Sequence, residues 1–240
     1  MKLAILSDIH SNLEALEAVL NDIDKHDIDR VFCLGDIVGY GANPNECIEI
    51  IKKFPTVAGN HDYGVIGKEM ISFFNTFGQI AIIYTKEVLK EENAEYLKKL
   101  PLIIEEKIDG KKVIFSHACP QNPDSWEYLF PDYVPDYVFS YEDVVFVGHS
   151  HIPFVYSKNR GCVLTHEGKI ELNENDKYVI NPGSVGQPRD GVNRASYAIF
   201  DTDEYSVEIK RIPYDIIKAA NKILNVGLPE YLAERLFLGK

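Results

Sequence analysis

Lys2-Leu3-Ala4-Ile5-Leu6-Ser7-Asp8-Ile9-His10-Ser11-Asn12-Leu13-Glu14-Ala15-Leu16 holds the fold in miniature. Lys2–Ser7 is a short apolar run that ends in Asp8 and reads as a buried strand. From Asn12 the period changes. Leu13, Ala15, Leu16, Val19, Leu20 and Ile23 recur at three- and four-residue spacing, the pattern of a helix with one apolar face, and Ser11 or Asn12 can cap its start. Between strand and helix stand an acid and an imidazole. In an open α/β sheet that place, beyond the carboxyl end of a strand, is where ligands bind.

The same rhythm continues outward. Val31–Leu34 reads as a second strand, Pro44–Lys53 as a helix with Pro in its first turn, and Thr56–Ala58 as a third, very short strand. This β-α-β-α-β order predicts a mainly parallel sheet with right-handed crossovers. Residues 64–100 read as two or three helices ended by Pro101, with Phe73, Phe74 and Phe77 as core; a substrate-covering lid or a dimer contact is the sharper reading of that stretch. Lys111–Phe115 and Val144–Val147 are again buried strands. After His151 come six short alternating runs separated by Gly, Asn or Asp, and then a helical tail broken near Gly227 and Pro229. The chain reads as one domain over residues 1–240, with two sheets, α/β in its first half and mostly β in its second.

Composition bounds the function. The chain has 240 residues, and its net charge of −12 argues against a duplex nucleic-acid partner, because phosphate binding needs clustered Lys and Arg. No apolar run approaches the roughly 20 residues that span a bilayer, so no membrane partner is expected. The start of the chain reaches Asp8 too soon for a signal peptide, and Cys33, Cys47, Cys119 and Cys162 lack paired spacing. Free thiols in the cytoplasm are the simplest reading.

Five segments share one feature, an apolar run leading straight into metal-type residues: Ser7-Asp8-Ile9-His10, Gly35-Asp36, Gly59-Asn60-His61-Asp62, Ser116-His117-Ala118 and Gly148-His149-Ser150-His151. Five of the seven His, with Asp8, Asp36 and Asn60, gather at these ends. In an extended chain Asp8 and His10 point the same way, as do His149 and His151. Mixed imidazole and carboxylate donors suit Mn, Fe, Ni or Zn, whereas Ca or Mg prefers oxygen alone. There are too many donors for one ion. A pair of ions sharing a carboxylate, spaced about 3.5–4 Å apart, uses them economically and suits displacement at phosphorus.

In order, these blocks resemble the calcineurin-like metallophosphoesterase superfamily, whose pattern is D-x-H, G-D, G-N-H-[DE], H and G-H-x-H. The flanking Leu34-Gly35-Asp36-Ile37-Val38-Gly39-Tyr40-Gly41 and Asn181-Pro182-Gly183-Ser184-Val185-Gly186-Gln187-Pro188-Arg189 are similar to the small prokaryotic phosphodiesterase branch. The resemblance implies an α+β fold, a four-layer α/β/β/α sandwich with two mixed sheets. It implies two divalent transition-metal ions per chain, with Mn placed ahead of Fe, Ni and Zn. Asp8, His10, Asp36 and His151 would hold the first, and Asp36, Asn60, His117 and His149 the second, with Asp36 bridging. His61 would contact phosphate and protonate the leaving oxygen after in-line attack by a metal-bridging hydroxide.

The protein-phosphatase branch carries a supporting Asp and a phosphate-gripping Arg where this chain has Gly39 and Tyr40. Asn12, Tyr40 and Arg189 are the candidate substitutes for that grip. The expected substrate is therefore a small phosphodiester or nucleotide-type phosphate ester. A dinucleoside-polyphosphate hydrolase is the alternative within the superfamily, because Asp8 to Leu16 is similar to that group's first block. A nuclease would want a basic face that is not visible. A metal-binding scaffold without catalysis is the alternative of another class, although the ligands and His61 are intact. The physiological substrate, the native metal and self-association stay open.

Overall fold

The computed structural model describes residues 1–140 and 142–240. Its strands are β1 (Lys2–Leu6), β2 (Arg30–Cys33), β3 (Ile103–Ile108), β4 (Lys111–Ser116), β5 (Val144–Phe146), β6 (Phe154–Ser157), β7 (Gly161–Leu164), β8 (Gly168–Glu171), β9 (Tyr178–Asn181), β10 (Ala195–Asp201) and β11 (Ser206–Ile212). Its helices are α1 (Leu13–Ile23), α2 (Pro44–Ile51), α3 (Asn60–Ile66), α4 (Thr76–Val88), α5 (Glu91–Lys98), α6 (Ile216–Asn225) and α7 (Glu230–Leu238).

Two mixed sheets form, ordered β2-β1-β10-β11-β8 and β3-β4-β5-β9-β6-β7. They pack face to face, and the two-residue period of the strands explains how. Leu3 and Ile5 of β1, with Ala198 and Phe200 of β10, meet Val113 and Phe115 of β4 and Tyr178 and Ile180 of β9 between the sheets. Ala4 and Leu6 point the other way, with Tyr197 and Ile199, against Leu16 and Val19 of α1 and Ile48 and Ile51 of α2. Strands buried on both faces read as continuous apolar runs, as β1 does. The outer face of the second sheet, Ile114, Val145 and Val179, is covered by Leu129, Val134, Val138 and Phe139. Among the described residues, the regular elements of that fourth layer are two short 3₁₀ turns, Pro123–Ser125 and Asp136–Phe139.

Three expectations need correction. The first sheet is not mainly parallel. β1 runs parallel to β2 alone, while β10, β11 and β8 join antiparallel. The third strand shrinks to one bridge, Cys33 to Thr56. Pro55 has no N–H to extend that ladder, and the chain turns away at Gly59. The Phe cluster also divides: Phe74 is buried, whereas Phe73 is 70% exposed and Phe77 stacks on Tyr231 of α7. One strand had no sequence signal. β3 lies at a sheet edge, and its Glu105, Glu106 and Lys107 interrupt the alternation, a common protection for an edge. No helix among the described residues is long and apolar enough to cross a membrane. Cys33, Cys47, Cys119 and Cys162 are free thiols.

Candidate metal centre

β1, β2, β4, β5 and β9 all end toward one place, where the parallel pairings β1 with β2 and β4 with β5 and β9 align their carboxyl ends. Asp8 and His10 follow β1, Asp36 follows β2, His117 follows β4, and His149 and His151 follow β5. Asn60 and His61 open α3. The loops are not extended. Asp8, His10, Asp36, His149 and His151 have φ of 53°, 49°, 51°, 69° and 59°, and Ser11 and Tyr40 at 55° join them. Left-handed backbone at non-glycine residues costs about 1–3 kcal/mol each and persists where surrounding contacts over-determine it. The side chains therefore converge through tight turns, not through the strand periodicity expected for the D-x-H and H-x-H pairs.

Hydrogen bonds fix what each donor presents. Asp8 Oδ2 accepts from the Ser7 hydroxyl at 2.6 Å and the His149 N–H at 3.1 Å. Its Oδ1 is buried without a hydrogen-bond partner and lies 3.2, 3.9 and 4.0 Å from Nε2 of His151, His10 and His117. Asp36 Oδ1 accepts the His61 N–H at 2.8 Å, which leaves Oδ2 3.6 Å from His10 Nε2 and 3.4 Å from His117 Nε2. Asp36 thus stands between two groups of donors, Asp8-His10-Asp36-His151 and Asp36-His117-His149, each drawn together within 4.8 Å.

The imidazoles carry the clearest statement. His10 Nδ1 meets the Val38 carbonyl at 3.0 Å, His117 Nδ1 that of Leu34 at 2.7 Å, and His151 Nδ1 that of Gln187 at 2.6 Å. A carbonyl can only accept, so each Nδ1 carries the proton, and in the neutral ring each Nε2 is a bare lone pair. Those lone pairs face inward, with His10 and His151 Nε2 only 3.0 Å apart. Two lone pairs at that distance repel unless a cation lies against them, and backbone carbonyls behind metal-bound His are the usual orienting partners. Asn60 Oδ1 adds a further buried, unpartnered acceptor, and His149 faces the cluster through Nδ1, 3.2 Å from His117 Nε2. The residues fit divalent metal.

Electrostatics agree. Burial pushes the His117 imidazole down, but Asp36 and Asp8 beside it override this and raise its pKa to about 9. Burial would raise both carboxyls, yet the surrounding His hold Asp8 and Asp36 well below the usual carboxylate range. The cluster demands positive charge. Burial lowers His10 and His151, and takes His149 down to about 3, which keeps these rings in the neutral form that ligation requires.

His61 stands apart. Its ring contacts Tyr40, His10 and Phe74 at centroid distances of 4.5, 4.9 and 4.9 Å. Burial lowers its pKa to about 4 against the pull of Asp36. Gly39, at φ 94°, lies so close that a Cβ there would come within 2.5 Å of His61 Nδ1. The position where the protein-phosphatase branch has its supporting Asp is therefore filled by the His ring itself. Gly39→Ala is expected to destabilise by about 1–3 kcal/mol through its backbone alone. It should lower Tm by about 2–4 °C per kcal/mol and depress turnover, both read by thermal melting and steady-state kinetics.

A cleft of about 250 Å³ opens beside these groups, lined by Asp36, Asn60, His61, Tyr128, His149 and Arg189 among others. Tyr40 also lines it, and the Arg189 guanidinium lies 5.8 Å from the centre of its ring. Asn12 is placed differently. Its Oδ1 accepts the Ala15 N–H at 3.2 Å as the α1 cap, and its Nδ2 donates to the Gly186 carbonyl at 2.8 Å. It ties the loop after β1 to the loop after β9. One residue had no sequence signal. Tyr128 stacks on His149 at 3.8 Å from a segment without periodicity. Asp62 accepts from the N–H groups of Ile37, Val38 and Gly59 and so locks the Asp36 loop to the start of α3.

Comparison with known proteins agrees with this geometry. An uncharacterized protein of Methanocaldococcus jannaschii is 64% identical over 240 residues, covering 99% of this chain and 98% of its own. The crystal structure of a metallophosphoesterase from Sphaerobacter thermophilus is 37% identical, with a TM-score of 0.86 and 100% of both chains covered. A hypothetical protein from Pyrococcus horikoshii, 24% identical, shares the fold with a TM-score of 0.83 over 100% of this chain and 98% of its own. The calcineurin-like phosphoesterase superfamily domain matches residues 1–205. With its Asp and His side chains positioned for a metal centre, this chain belongs to the calcineurin-like phosphoesterase superfamily.

Proposed function

We propose that the chain is a dinuclear metal-dependent hydrolase of small phosphodiesters or nucleotide-type phosphate esters. The observation that supports this most is the inward set of fixed Nε2 lone pairs around two carboxylates, with Asp36 shared between the two donor groups. Asp8, His10, Asp36 and His151 would hold one ion, and Asp36, Asn60, His117 and His149 the other. The mixed donor set suits Mn, Fe, Ni or Zn, and the family resemblance puts Mn first. Bound there, divalent ions would supply water activated near neutral pH and offset charge on the phosphoryl oxygens.

The chain's own residues do the rest. Arg189 and Tyr40 face the cleft and orient the ester. His61 is neutral at pH 7 before substrate binds. A phosphate ester beside it brings negative charge that raises its pKa, so the ring takes up a proton from solvent as the ester binds and passes that proton to the leaving oxygen. The net charge of −12 repels long polyanions, which favours small esters. Free thiols support residence in a reducing compartment such as the cytoplasm.

The absence of an Asp-Arg pair at Gly39 and Tyr40 sets the substrate preference. The ratio of kcat/KM for bis(p-nitrophenyl) phosphate to that for a phosphopeptide is expected to exceed ten. A preference for the phosphopeptide would overturn the diesterase reading. No turnover of either, with metal supplied, would favour the scaffold reading.

A further inference from the structure

An aromatic row leads out of the metal centre. Tyr128 stacks on His149 with ring centres 3.8 Å apart and planes 17° apart, and Phe130 lies parallel to Tyr128 within 11° at 5.6 Å. Leu129 between them is buried against the second sheet, while Tyr128 and Phe130 point outward. A ring separation of 5.6 Å is that of a slipped stack, which leaves part of each face open. Tyr128 stays 46% exposed and Phe130 39%.

Contacts on both sides hold the row in place. Before it, Trp126 Nε1 donates to Glu69 Oε2 at 2.6 Å, and the Trp126 ring meets Tyr63 edge-on at 5.4 Å. After it, Phe130 bridges to Tyr133, and the Tyr137 hydroxyl donates to Glu127 Oε1 at 2.7 Å. Two large rings are thus fixed in contact with water, although a mere shield for His149 would gain by being buried. Tyr128 also lines the cleft, together with Asp36, Asn60, His149 and Arg189. A molecule with its phosphorus at the metal centre therefore has Tyr128 as a wall. A flat ring carried by that molecule would cover the open aromatic faces. The place of Tyr128 in a cleft of about 250 Å³ favours a small molecule over a protein face.

We propose that Tyr128, extended by Phe130, is a stacking shelf for the base of a nucleotide-type ester and selects esters that carry a nucleobase. This deepens the phosphoesterase reading and rests on it. Stacking needs no positive charge, which suits a chain of net charge −12. Every base has a π face, so the shelf sets the class of substrate and leaves the identity of the base open. Tyr128 acts here on binding and not on the bond that breaks, and its hydroxyl is not required.

The test uses two diesters with one non-aromatic leaving group, the trifluoroethyl ester of adenosine 5′-monophosphate and that of the same sugar phosphate with hydrogen in place of adenine. Wild-type protein, supplied with metal, is expected to show kcat/KM about tenfold higher for the adenosine ester, the scale of one base stacked on an aromatic side chain. Tyr128→Ala should bring that ratio close to one, mainly through KM. Phe130→Ala should lower it in part, and Tyr128→Phe should keep it. Both esters meet the same centre, so a role of Tyr128 confined to steadying His149 would slow both alike and leave the ratio unchanged. A wild-type ratio near one, or a ratio that survives Tyr128→Ala, would overturn the proposal. Should neither ester turn over, the phosphoesterase reading fails, and calorimetric binding of adenosine monophosphate against the base-free sugar phosphate to metal-supplied protein still decides the shelf. Tighter nucleotide binding lost in Tyr128→Ala supports it, and equal binding sinks it.

Discussion

Asp36→Asn is expected to remove both ions at once. Asp36 Oδ2 lies 3.6 Å from His10 Nε2 and 3.4 Å from His117 Nε2, so the same oxygen serves both donor groups. The substitution keeps the size of the side chain, and an amide oxygen can still accept the His61 N–H now held at 2.8 Å. What it removes is charge at the shared position, and with it the main influence that raises His117. Loss of an outer partner of a metal ligand typically costs about 10–100-fold. Loss of a shared ligand should cost more, on the order of a further tenfold. As a metal donor Asp8 belongs only to the first group, so Asp8→Asn should deplete one ion and spare most of the other. Thermal melting gives an independent readout. A ligand at 100 times its Kd stabilises by about 2.7 kcal/mol per site, and this metal-dependent gain should vanish in Asp36→Asn.

His61→Ala is expected to keep both ions and lose turnover. The His61 ring touches His10 and Tyr40 but is absent from both donor groups. Removing a general acid typically costs about 10²–10⁴-fold in kcat. The loss should be largest for alkyl esters and smallest for nitrophenyl esters, whose leaving group needs little protonation. A plot of the loss against leaving-group pKa checks this. If the variant loses a metal, His61 is a ligand. If it retains full activity on alkyl esters, another group supplies the proton.

How much of this was legible beforehand depends on where the information lies in the chain. Lys2–Leu16 shows its strand and helix plainly because burial imposes a local period on each. The six Asp and His residues that the structure draws into two donor groups were legible as a set because metal chemistry restricts residue type and each follows a strand, whereas Asn60 and His61 open α3. Other features depended on distant contacts. β1 pairs antiparallel with β10, nearly 200 positions later, and nothing near Lys2 announces that partner. The turns that aim Asp8 and His10 into the centre rest on backbone bonds from Asp8 to Gly35 and from His10 to Asp36, so sequence spacing alone suggested the wrong geometry. Asn12 was drawn toward substrate by its place in the motif, whereas its amide is engaged by Ala15 and Gly186. Tyr128 reaches the site from a segment with no motif, and only the assembled fold brings it there.

Elemental analysis of protein stripped with chelator and then saturated with Mn bears most directly on the two-ion centre. Wild type is expected to retain two ions per chain after removal of excess metal, Asp8→Asn about one, and Asp36→Asn close to none. Wild-type protein that retains at most one ion under those conditions would contradict a dinuclear centre bridged by Asp36.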